Sequence, residues 1–318
     1  PNPDLQDCVA GAALYQEKGC DGLISIGGGS AMDTAKGIKA LLMTDIAHVR
    51  ANQLPSEGNV PHLAIPGTAG TGAETTAVAV LYENGQKLSV DHPALLPDGV
   101  LLDGSLLDTL PEYHRKSCAM DALAQGIESW WAKKATPDSR IHAERAIRGV
   151  LDNLTAYLQG DRKAQDEMLH AAYESGVAIL TTRTTAAHAM SYQITKKLGA
   201  AHGHACMLTL PHLWAHLAAQ AEYQPMLTEL SRLLGGEKPM DGAILLKGLL
   251  AVLELDKIPM PDDATLDMLA ASVNPERLGN HPEALTTAQL RAIYVQAFTP
   301  MTDTERAEAI AAWEQYGK

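Results

Sequence analysis

Six polar side chains in the middle of the chain are of types that bind metal ions or move protons. They lie on stretches with helical character and in one glycine-bounded turn, and they are Asp121, Gln125, His188, Tyr192, His202 and His204. Asp121 and Gln125 are four residues apart, a spacing that places both on one face of a helix. An Asp and two His from separate helices could hold a divalent metal ion and leave coordination positions open. Each residue taken alone is more often a capping or surface residue, so this spacing does not by itself establish a site.

Two glycine-rich loops in the first third of the chain could bind a phosphate. GGGSAMDTAK (27–36) follows a short apolar run and begins a helix, with Ser30 as the predicted N-cap. IPGTAGTGAE (65–74) follows a second apolar run and adds threonine hydroxyls. Glycine allows the backbone to approach a phosphate closely, and the N–H groups of a helix start favour an anion. Many glycine turns before helices bind nothing, but two such loops after neighbouring parallel strands would meet at one sheet edge and favour a nucleotide site.

The elements that must position these residues fall into two regions. In the first third, helices predicted at 4–18 and 30–42 alternate with strands predicted at 22–26, 62–65, 77–82, 88–90 and 100–102. Beyond Pro111 long helical periodicity dominates, as at 142–158, 164–182 and 243–255. These patterns predict an α/β domain with a parallel sheet over residues 1–109 and an all-helical domain over residues 110–318. The cleft between the two domains is the expected site.

Composition limits the class of protein and the kind of partner. The 318 residues are 46% hydrophobic and 20% charged, with a formal net charge of −13. That charge argues against a nucleic acid or an anionic membrane as partner, although cations in one pocket could still bind an anionic small molecule. The four cysteines include no C-x-x-C pair, which is typical of a reduced protein, and no run reaches the roughly 18 apolar residues of a membrane span. We therefore expect a cytoplasmic protein that acts on a small molecule.

The ordered motifs resemble those of the iron-containing (group III, metal-dependent) alcohol dehydrogenases. The match runs from Pro1 to about Phe298, and its marks are GGGSAMDTAK (27–36), IPGTAGTGAE (65–74), Lys87 with LLPD (95–98), MDALAQGIES (120–129), HAM (188–190) and AAHGHA (200–205). The resemblance implies a dehydroquinate synthase-like α/β nucleotide domain followed by a helical metal domain. It also implies that the first β-α-β unit, which normally selects NAD or NADP, is lacking before residue 1. Residues 299–318 extend beyond the match.

The resemblance assigns roles residue by residue. It places the cofactor against the two glycine loops and the lysine after them, that is, Gly27, Gly28, Gly29, Ser30, Asp33, Thr68, Thr71 and Lys87. The family's metal ligands are one Asp and three His, and Asp121, His188 and His202 match three of these four positions. Gln125 stands at the fourth, where a neutral carbonyl oxygen is a weaker ligand than imidazole. Fe²⁺ is the expected metal, with Zn²⁺ as the alternative, and NADH or NADPH is the expected cofactor.

Several of these runs resemble the phosphonoacetaldehyde reductase branch of that family. They are Gln125 in its motif, TTAAHAMSYQIT (184–195), AHGHA (201–205) and NPERLGNHPEALT (274–286). The branch implies reduction of phosphonoacetaldehyde to 2-hydroxyethylphosphonate, as part of phosphonate biosynthesis, with the metal polarising the carbonyl. The alkoxide proton would come from water, Tyr192 or His204, and the cations nearest in sequence to the two His are Arg183, Lys196 and Lys197. We expect a homodimer.

Two other hypotheses stay open at this point. The departures at Gln125, Gly67 and Ala73 are compatible with a catalytically inactive homologue that binds only a nucleotide or a metal. An alcohol dehydrogenase for a plain aliphatic alcohol is the second. A lyase of the dehydroquinate synthase type would need a different set of metal ligands, which we do not find in this sequence.

Overall fold

The computed structural model describes residues 3–56 and 60–316. Residues 1–2, 57–59 and 317–318 lie outside the described residues, and they include the outer ends of the two predicted domains. The strands are β1 (Leu23–Gly27), β2 (His62–Pro66), β3 (Val78–Glu83), β4 (Gln86–Asp91) and β5 (Gly99–Val100). The helices are α1 (Leu5–Lys18), α2 (Gly29–Met43), α3 (Ile46–Arg50), α4 (Glu112–Trp131), α5 (Pro137–Leu158), α6 (Arg162–Thr182), α7 (Ala186–Leu198), α8 (His202–Ala218), α9 (Gln224–Leu233), α10 (Asp241–Val252), α11 (Asp263–Ala271), α12 (Pro275–Leu278), α13 (Thr287–Phe298) and α14 (Asp303–Tyr316). The predicted order of an α/β part followed by a helical part is confirmed. The boundary at 109/110 stays a prediction.

A small parallel sheet in the order β1-β2-β5 forms the base of the α/β part. Gly27 at the end of β1 lies opposite Pro66 at the end of β2, and Gly67 N donates to Gly27 O at 2.8 Å. The loops after the two strands therefore lie side by side, as the motif order predicts.

The expectation that residues 77–82 and 88–90 join this parallel sheet was wrong. β3 and β4 pair with each other, antiparallel, in a separate two-stranded sheet. Two residues connect them, Asn84 and Gly85, with φ angles of 49° and 73°. Such a short link can only form a hairpin, because parallel neighbours need a crossover of about a dozen residues. An Asn-Gly pair between apolar runs is itself a hairpin signal in the sequence.

The helical part is built around α4, which is buried on all sides from Ala119 to Trp131. Helices α5, α6 and α8 pack on it, and α7 packs on α8. Local sequence explains where several of these helices begin: Thr136 and Ser139 form a capping box before α5, and Asp161 caps α6. In the described residues no helix is long and apolar enough to cross a membrane.

The second glycine loop joins the two parts by packing directly on the helices. A Cβ on Gly70 would lie 2.8 Å from Cys118 Cα, and a Cβ on Gly72, whose φ is 58°, would lie 2.5 Å from Gly176 Cα. The motif alone suggests that these two glycines allow the loop to approach a phosphate. In the structure they allow the loop to approach α4 and α6. The junction depends on the absence of side chains at both positions.

We predict that Gly72→Ala lowers the free energy of unfolding by about 2–4 kcal/mol, since it adds both a backbone clash and left-handed strain. Gly85→Ala is the matched control. Gly85 also has a positive φ, but no atom lies within 4 Å of its added Cβ, so only the conformational penalty of about 1 kcal/mol applies. Urea unfolding followed by circular dichroism measures both. Equal losses in the two variants would show that the close approach to Gly176 is unimportant.

Candidate active site

Four potential metal ligands converge on one point in the helical part. They come from three helices: Asp121 from α4, His188 from α7, and His202 and Cys206 from α8, with all ligand atoms within 4.8 Å of one another. His188 Nε2 lies 3.2 Å and His202 Nε2 lies 3.8 Å from Asp121 Oδ1, and Cys206 Sγ lies 3.9 Å from His202 Nε2. A carboxylate, two imidazoles and a thiol are a donor set that fits a divalent transition metal. Asp121, His188 and His202 were predicted from the sequence, and Cys206 was not.

Gly203 allows α8 to begin close to Asp121. A Cβ on Gly203 would clash with Ser117 O and lie 2.7 Å from Asp121 Cβ. The first turn of α8 can therefore lie directly on α4, which brings His202 beside the carboxylate. Cys206 follows four residues later on the same face of α8.

Glu128 is a fully buried carboxylate that holds His188 in position, and sequence analysis also missed it. Its Oε1 accepts from Thr185 Oγ1 at 2.6 Å and from Ala187 N at 2.8 Å, and its Oε2 lies in very short contact with His188 Nδ1. With the proton of His188 held on Nδ1, Nε2 can ligate a metal. The signal for Glu128 was present in the sequence, because positions 121, 125 and 128 share one face of α4.

His202 is held by two neighbours on α7. Ser191 Oγ lies 3.2 Å from His202 Nδ1, and the Tyr192 ring stacks on the imidazole with a centroid distance of 5.9 Å and an interplanar angle of 8°. Lys87, on the β3–β4 hairpin, places Nζ 3.9 Å from the centroid of the Tyr192 ring. Through this cation–π contact the α/β part reaches Tyr192, the ring that stacks on the potential metal ligand His202.

The four ligands shift one another's protonation. Burial would lower the pKa of both imidazoles, but nearby negative charges outweigh it. The charges of Cys206 and Glu128 raise the pKa of His188 well above its ordinary value. The charges of Cys206 and Asp121 raise the pKa of His202 to about 9. Burial would raise the pKa of Asp121 and Cys206, but the two imidazoles lower both pKa values. Metal ligation would need each imidazolium to lose its Nε2 proton, and the thiol to lose its proton.

Gln125 links the metal cluster to the second glycine loop. It lies one turn after Asp121, its Oε1 accepts from Ser175 Oγ at 2.8 Å, and its Nε2 donates to Thr71 O at 3.2 Å. Both ends of the amide are therefore engaged outside the cluster. Its predicted role as a metal ligand stays a prediction.

His204 is engaged elsewhere in the helical part. Its Nε2 lies 2.8 Å from Leu255 O and its Nδ1 lies 3.1 Å from the Tyr113 hydroxyl. Burial lowers the pKa of this imidazole, so it stays neutral at physiological pH. Its predicted part in proton transfer is untested, but both ring nitrogens already have partners.

The first glycine loop lies against the threonines of the second. A Cβ on Gly28 would lie 3.1 Å from Thr68 Cγ2, and one on Gly29 would lie 3.2 Å from Thr71 Cγ2. The prediction of Ser30 as N-cap was wrong, because α2 begins at Gly29 with Gly28 as its N-cap and no side chain caps the helix. The glycine backbone can turn into the helix without a capping hydroxyl, so the first N–H groups keep no side-chain partner and can bind an anion.

Two charged residues of α2, Asp33 and Lys36, are largely buried. Lys36 is buried and donates to Ala73 O at 2.6 Å and to Val78 O at 3.0 Å, which ties α2 to the second loop. Burial raises the pKa of Asp33 to about 6, against the opposing charges of Lys36 and Lys87. Gly27, at the end of β1, has a φ of 142°.

Comparison with known families gives two matches along the chain. A model described as iron-containing alcohol dehydrogenase matches residues 1–104, and a model for the C-terminal part of the Fe-containing alcohol dehydrogenase family matches residues 116–298. Together they include all the residues named above as metal ligands and in the two glycine loops.

Curated relatives of the chain are longer than it is. The chain is 36% identical over 225 residues to phosphonoacetaldehyde reductase of Streptomyces viridochromogenes. This match covers 66% of this chain and 57% of that protein. It is 35% identical over 216 residues to the probable alcohol dehydrogenase EutG of Escherichia coli. This match covers 66% of this chain and 54% of that protein. The matched segment thus spans little more than half the length of these relatives.

Solved structures resemble the fold over most of the chain. Sulfoacetaldehyde reductase from Bifidobacterium kashiwanohense, in complex with NAD⁺, has a TM-score of 0.86 at 27% identity and covers 94% of this chain and 82% of that one. An iron-containing alcohol dehydrogenase from Thermococcus thioreducens has a TM-score of 0.85 at 26% identity with the same coverage.

We predict that Glu128→Gln lowers the affinity for Zn²⁺ by about 10–100-fold, the usual cost of losing an outer partner of a metal ligand. The amide oxygen can keep the bonds from Thr185 and Ala187. The amide nitrogen would then face His188 Nδ1, which moves the ring proton to Nε2 and blocks ligation. Competition with a chelating dye gives the affinity.

The control for this variant is Glu144→Gln, which removes an exposed carboxylate paired with Arg148. Its Zn²⁺ affinity should equal that of the wild type. An unchanged affinity in Glu128→Gln, with the thermal midpoint also unchanged, would contradict the role of Glu128.

Proposed function

The chain belongs to the iron-containing alcohol dehydrogenase family, and we propose that it reduces a small aldehyde to an alcohol with NADH or NADPH. The observation that carries this proposal is the hydrogen bond from Gln125 to Thr71 O. It joins the loop proposed to bind the cofactor to a side chain one helical turn from Asp121. A hydride donor and an activated carbonyl must lie next to each other, and this contact supports such an arrangement.

The cofactor pyrophosphate is proposed to bind at the two neighbouring glycine loops. The residues concerned are Gly27, Gly28, Gly29, Ser30, Asp33, Thr68 and Thr71. The first N–H groups of α2, which have no side-chain cap, support this placement. Lys87 is proposed to contact the ribose, and its position over the Tyr192 ring would bring that contact beside the metal ligands.

Asp121, His188 and His202 are the residues proposed to hold a divalent metal ion. The family pattern implies a further ligand at Gln125, whose amide bonds to Ser175 and Thr71 O here. A metal bound there supplies a Lewis acid for the carbonyl oxygen. Glu128 and Ser191 hold the two imidazoles so that each Nε2 faces the cluster. Mutual charge pairing keeps Asp121 ionised despite its burial.

Tyr192 is the side chain that we favour as proton donor to the product alkoxide. Burial would raise the pKa of its hydroxyl, but the charges of Arg277, Lys87 and His202 lower it. It stacks on His202, whereas His204 has both ring nitrogens engaged with Leu255 and Tyr113. Water from solvent is the competing donor.

An anionic aldehyde, phosphonoacetaldehyde, is the proposed substrate. Arg183 pairs with Asp91 at 2.6 Å, and Lys196 and Lys197 are exposed at the last turn of α7. Arg277 is better placed: its Nη1 donates to Thr184 Oγ1 at 3.1 Å just before α7, and its charge acts on Tyr192. Across residues 3–56 and 60–316 no carboxylate pairs with Arg277, so its guanidinium could bind a phosphonate.

The alternatives differ in how well the geometry supports them. The convergence of four ligand atoms within 4.8 Å favours a working site over an inactive homologue. Arg277 favours an anionic aldehyde over a plain aliphatic one. Assembly as a homodimer, the cytoplasmic location and the choice between NAD and NADP stay predictions.

We predict that Tyr192→Phe lowers kcat by about 100-fold or more, a typical loss for removal of a general acid. The ring that stacks on His202 and faces Lys87 is kept, so Zn²⁺ affinity and the KM for NADH should change little. Steady-state kinetics with a saturating aldehyde give kcat. A kcat equal to that of the wild type would assign the proton to water.

The substrate proposal is tested by following the absorbance of NADH and NADPH with metal-loaded protein and two aldehydes, phosphonoacetaldehyde and propanal. We expect Arg277→Met to lower kcat/KM for phosphonoacetaldehyde by about 10–100-fold more than for propanal, because only the phosphonate loses a charge-assisted contact, whereas the effect of Arg277 on the Tyr192 hydroxyl is shared by both aldehydes. Arg183→Met removes a neighbouring arginine that already has a partner, and it should not change the ratio of the two substrates. Equal losses on both aldehydes would contradict the role of Arg277. Absence of reduction of either aldehyde by the wild type would contradict the proposed function.

A further inference from the structure

We propose that Cys206 binds the metal ion as a thiolate, as the fourth protein ligand beside Asp121, His188 and His202, and that the site prefers Zn²⁺ to Fe²⁺. The inference rests on the proposed metal site and concerns which side chains complete it. The family pattern offers a histidine at the position of Gln125, and this chain offers a thiol from a different helix.

Three of the separations among the four side chains are close to those of a tetrahedral metal site, and all four ligand atoms lie within 4.8 Å of one another. Bonds of about 2.0–2.2 Å to nitrogen or oxygen and about 2.3 Å to sulfur place tetrahedral ligand atoms about 3.3–3.6 Å apart. Asp121 Oδ1 is 3.2 Å from His188 Nε2 and 3.8 Å from His202 Nε2, and Cys206 Sγ is 3.9 Å from His202 Nε2. Shifts of a few tenths of an ångström would bring these three pairs to bonding geometry.

Both imidazoles are already oriented for this geometry. His188 Nδ1 faces Glu128 and His202 Nδ1 faces Ser191, so in each ring Nε2 faces the cluster. Partners of this kind fix the ring of a metal-bound histidine and its tautomer. Cys206 is fully buried among these groups, on the same rigid helix as His202 and one turn away.

Gln125 is committed to other contacts. Its oxygen accepts from Ser175 and its nitrogen donates to Thr71 O, so turning the amide towards a metal would break the link to the cofactor loop. The other cysteines lie elsewhere: Cys8 contacts Thr34 O in the α/β part, Cys20 is exposed, and Cys118 packs on Gly70. In the described part of the chain, Cys206 is the thiol that reaches the cluster.

Thiolate ligation has a consequence for metal choice. A soft thiolate favours Zn²⁺ over Fe²⁺ more strongly than a further imidazole or amide oxygen would. Asp121 and a Cys206 thiolate together carry two negative charges, equal in size to the charge of a divalent cation, while the carboxylate of Glu128 is compensated by its bonds from Thr185 and Ala187. Charge balance matters here because the site is buried, where an unpaired charge is costly.

Cobalt substitution tests this ligand directly and without any turnover. The metal-free 318-residue chain is loaded with Co²⁺, and its absorption spectrum is recorded for wild type, Cys206→Ser, Cys206→Ala and the control Cys20→Ser. We expect a thiolate-to-cobalt charge-transfer band in the near ultraviolet in wild type and Cys20→Ser, and its loss in both Cys206 variants. Zn²⁺ affinity should fall by at least about 10–100-fold in the Cys206 variants, and the ratio of Zn²⁺ to Fe²⁺ affinity should fall with it.

A double variant separates loss of the ligand from misfolding. Cys206→Ser combined with Gln125→His should regain Zn²⁺ affinity through the restored imidazole, while the charge-transfer band stays absent. A wild-type protein that fails to bind Co²⁺, or binds it without the band, overturns the proposal, as does a band that persists in Cys206→Ser or Cys206→Ala. If the band is missing while metal-dependent aldehyde reduction is present, only the thiolate ligand is wrong. If the band is present without reduction of any aldehyde, the ligand stands and the proposed function fails.

Discussion

The burial of two carboxylates on α4 is the constraint on which the site depends. Asp121 and Glu128 lie on α4, which is buried from Ala119 to Trp131, where an ionised carboxylate is tolerated only beside a compensating charge and hydrogen-bond donors. His188 lies between them and contacts both carboxylates. Glu128 also accepts from backbone N–H groups at the start of α7, so it fixes the helix that carries the imidazole. The same contacts therefore hold α7 against α4 and position the imidazole for the site.

The contact between the two parts of the molecule uses small residues and single polar bonds. Gly70 and Gly72 bring the second loop against α4 and α6, and Gln125 then bonds to Thr71 O at that contact. The β3–β4 hairpin makes a second connection through Lys87 and Tyr192. Because both connections end beside the metal ligands, a shift of the α/β part would move the cofactor loops relative to the cluster.

The charges beside Tyr192 are positive, whereas the net charge of the whole chain is negative. The net charge is −13, yet Lys87 and Arg277 both act on Tyr192. A negative protein with local cations can still attract an anionic small molecule into one pocket, because field strength near the pocket depends on its closest charges. The same cations lower the pKa of the Tyr192 hydroxyl, so substrate binding and proton donation would depend on the same charges.

Patterns within single elements determined much of the fold. Strand, glycine loop and helix follow in order at 22–42, so the nucleotide-binding unit could be predicted from apolar periodicity and glycine position. Asp121 and His188 could be named from motifs that stay within one helix. His202 could also be named from its motif, but the expected turn around His202 and His204 was wrong, because α8 begins at His202. Two further signals were readable but missed: Asn84-Gly85 as a hairpin turn, and the one-turn spacing of Cys206 from His202 on α8.

Only the tertiary structure decided which side chains from different elements meet. Glu128 lies 60 residues from His188 in sequence, and no periodicity relates one helix to another. His204 has a motif position like that of His202, but two residues along a helix turn a side chain by about 200°, so it faces Tyr113 and Leu255 instead. Arg277 likewise reaches the start of α7 because α12 packs there, whereas Arg183, closer in sequence, is paired with Asp91. Spacing along the chain is informative within one rigid element, and contacts between elements depend on how the whole core packs.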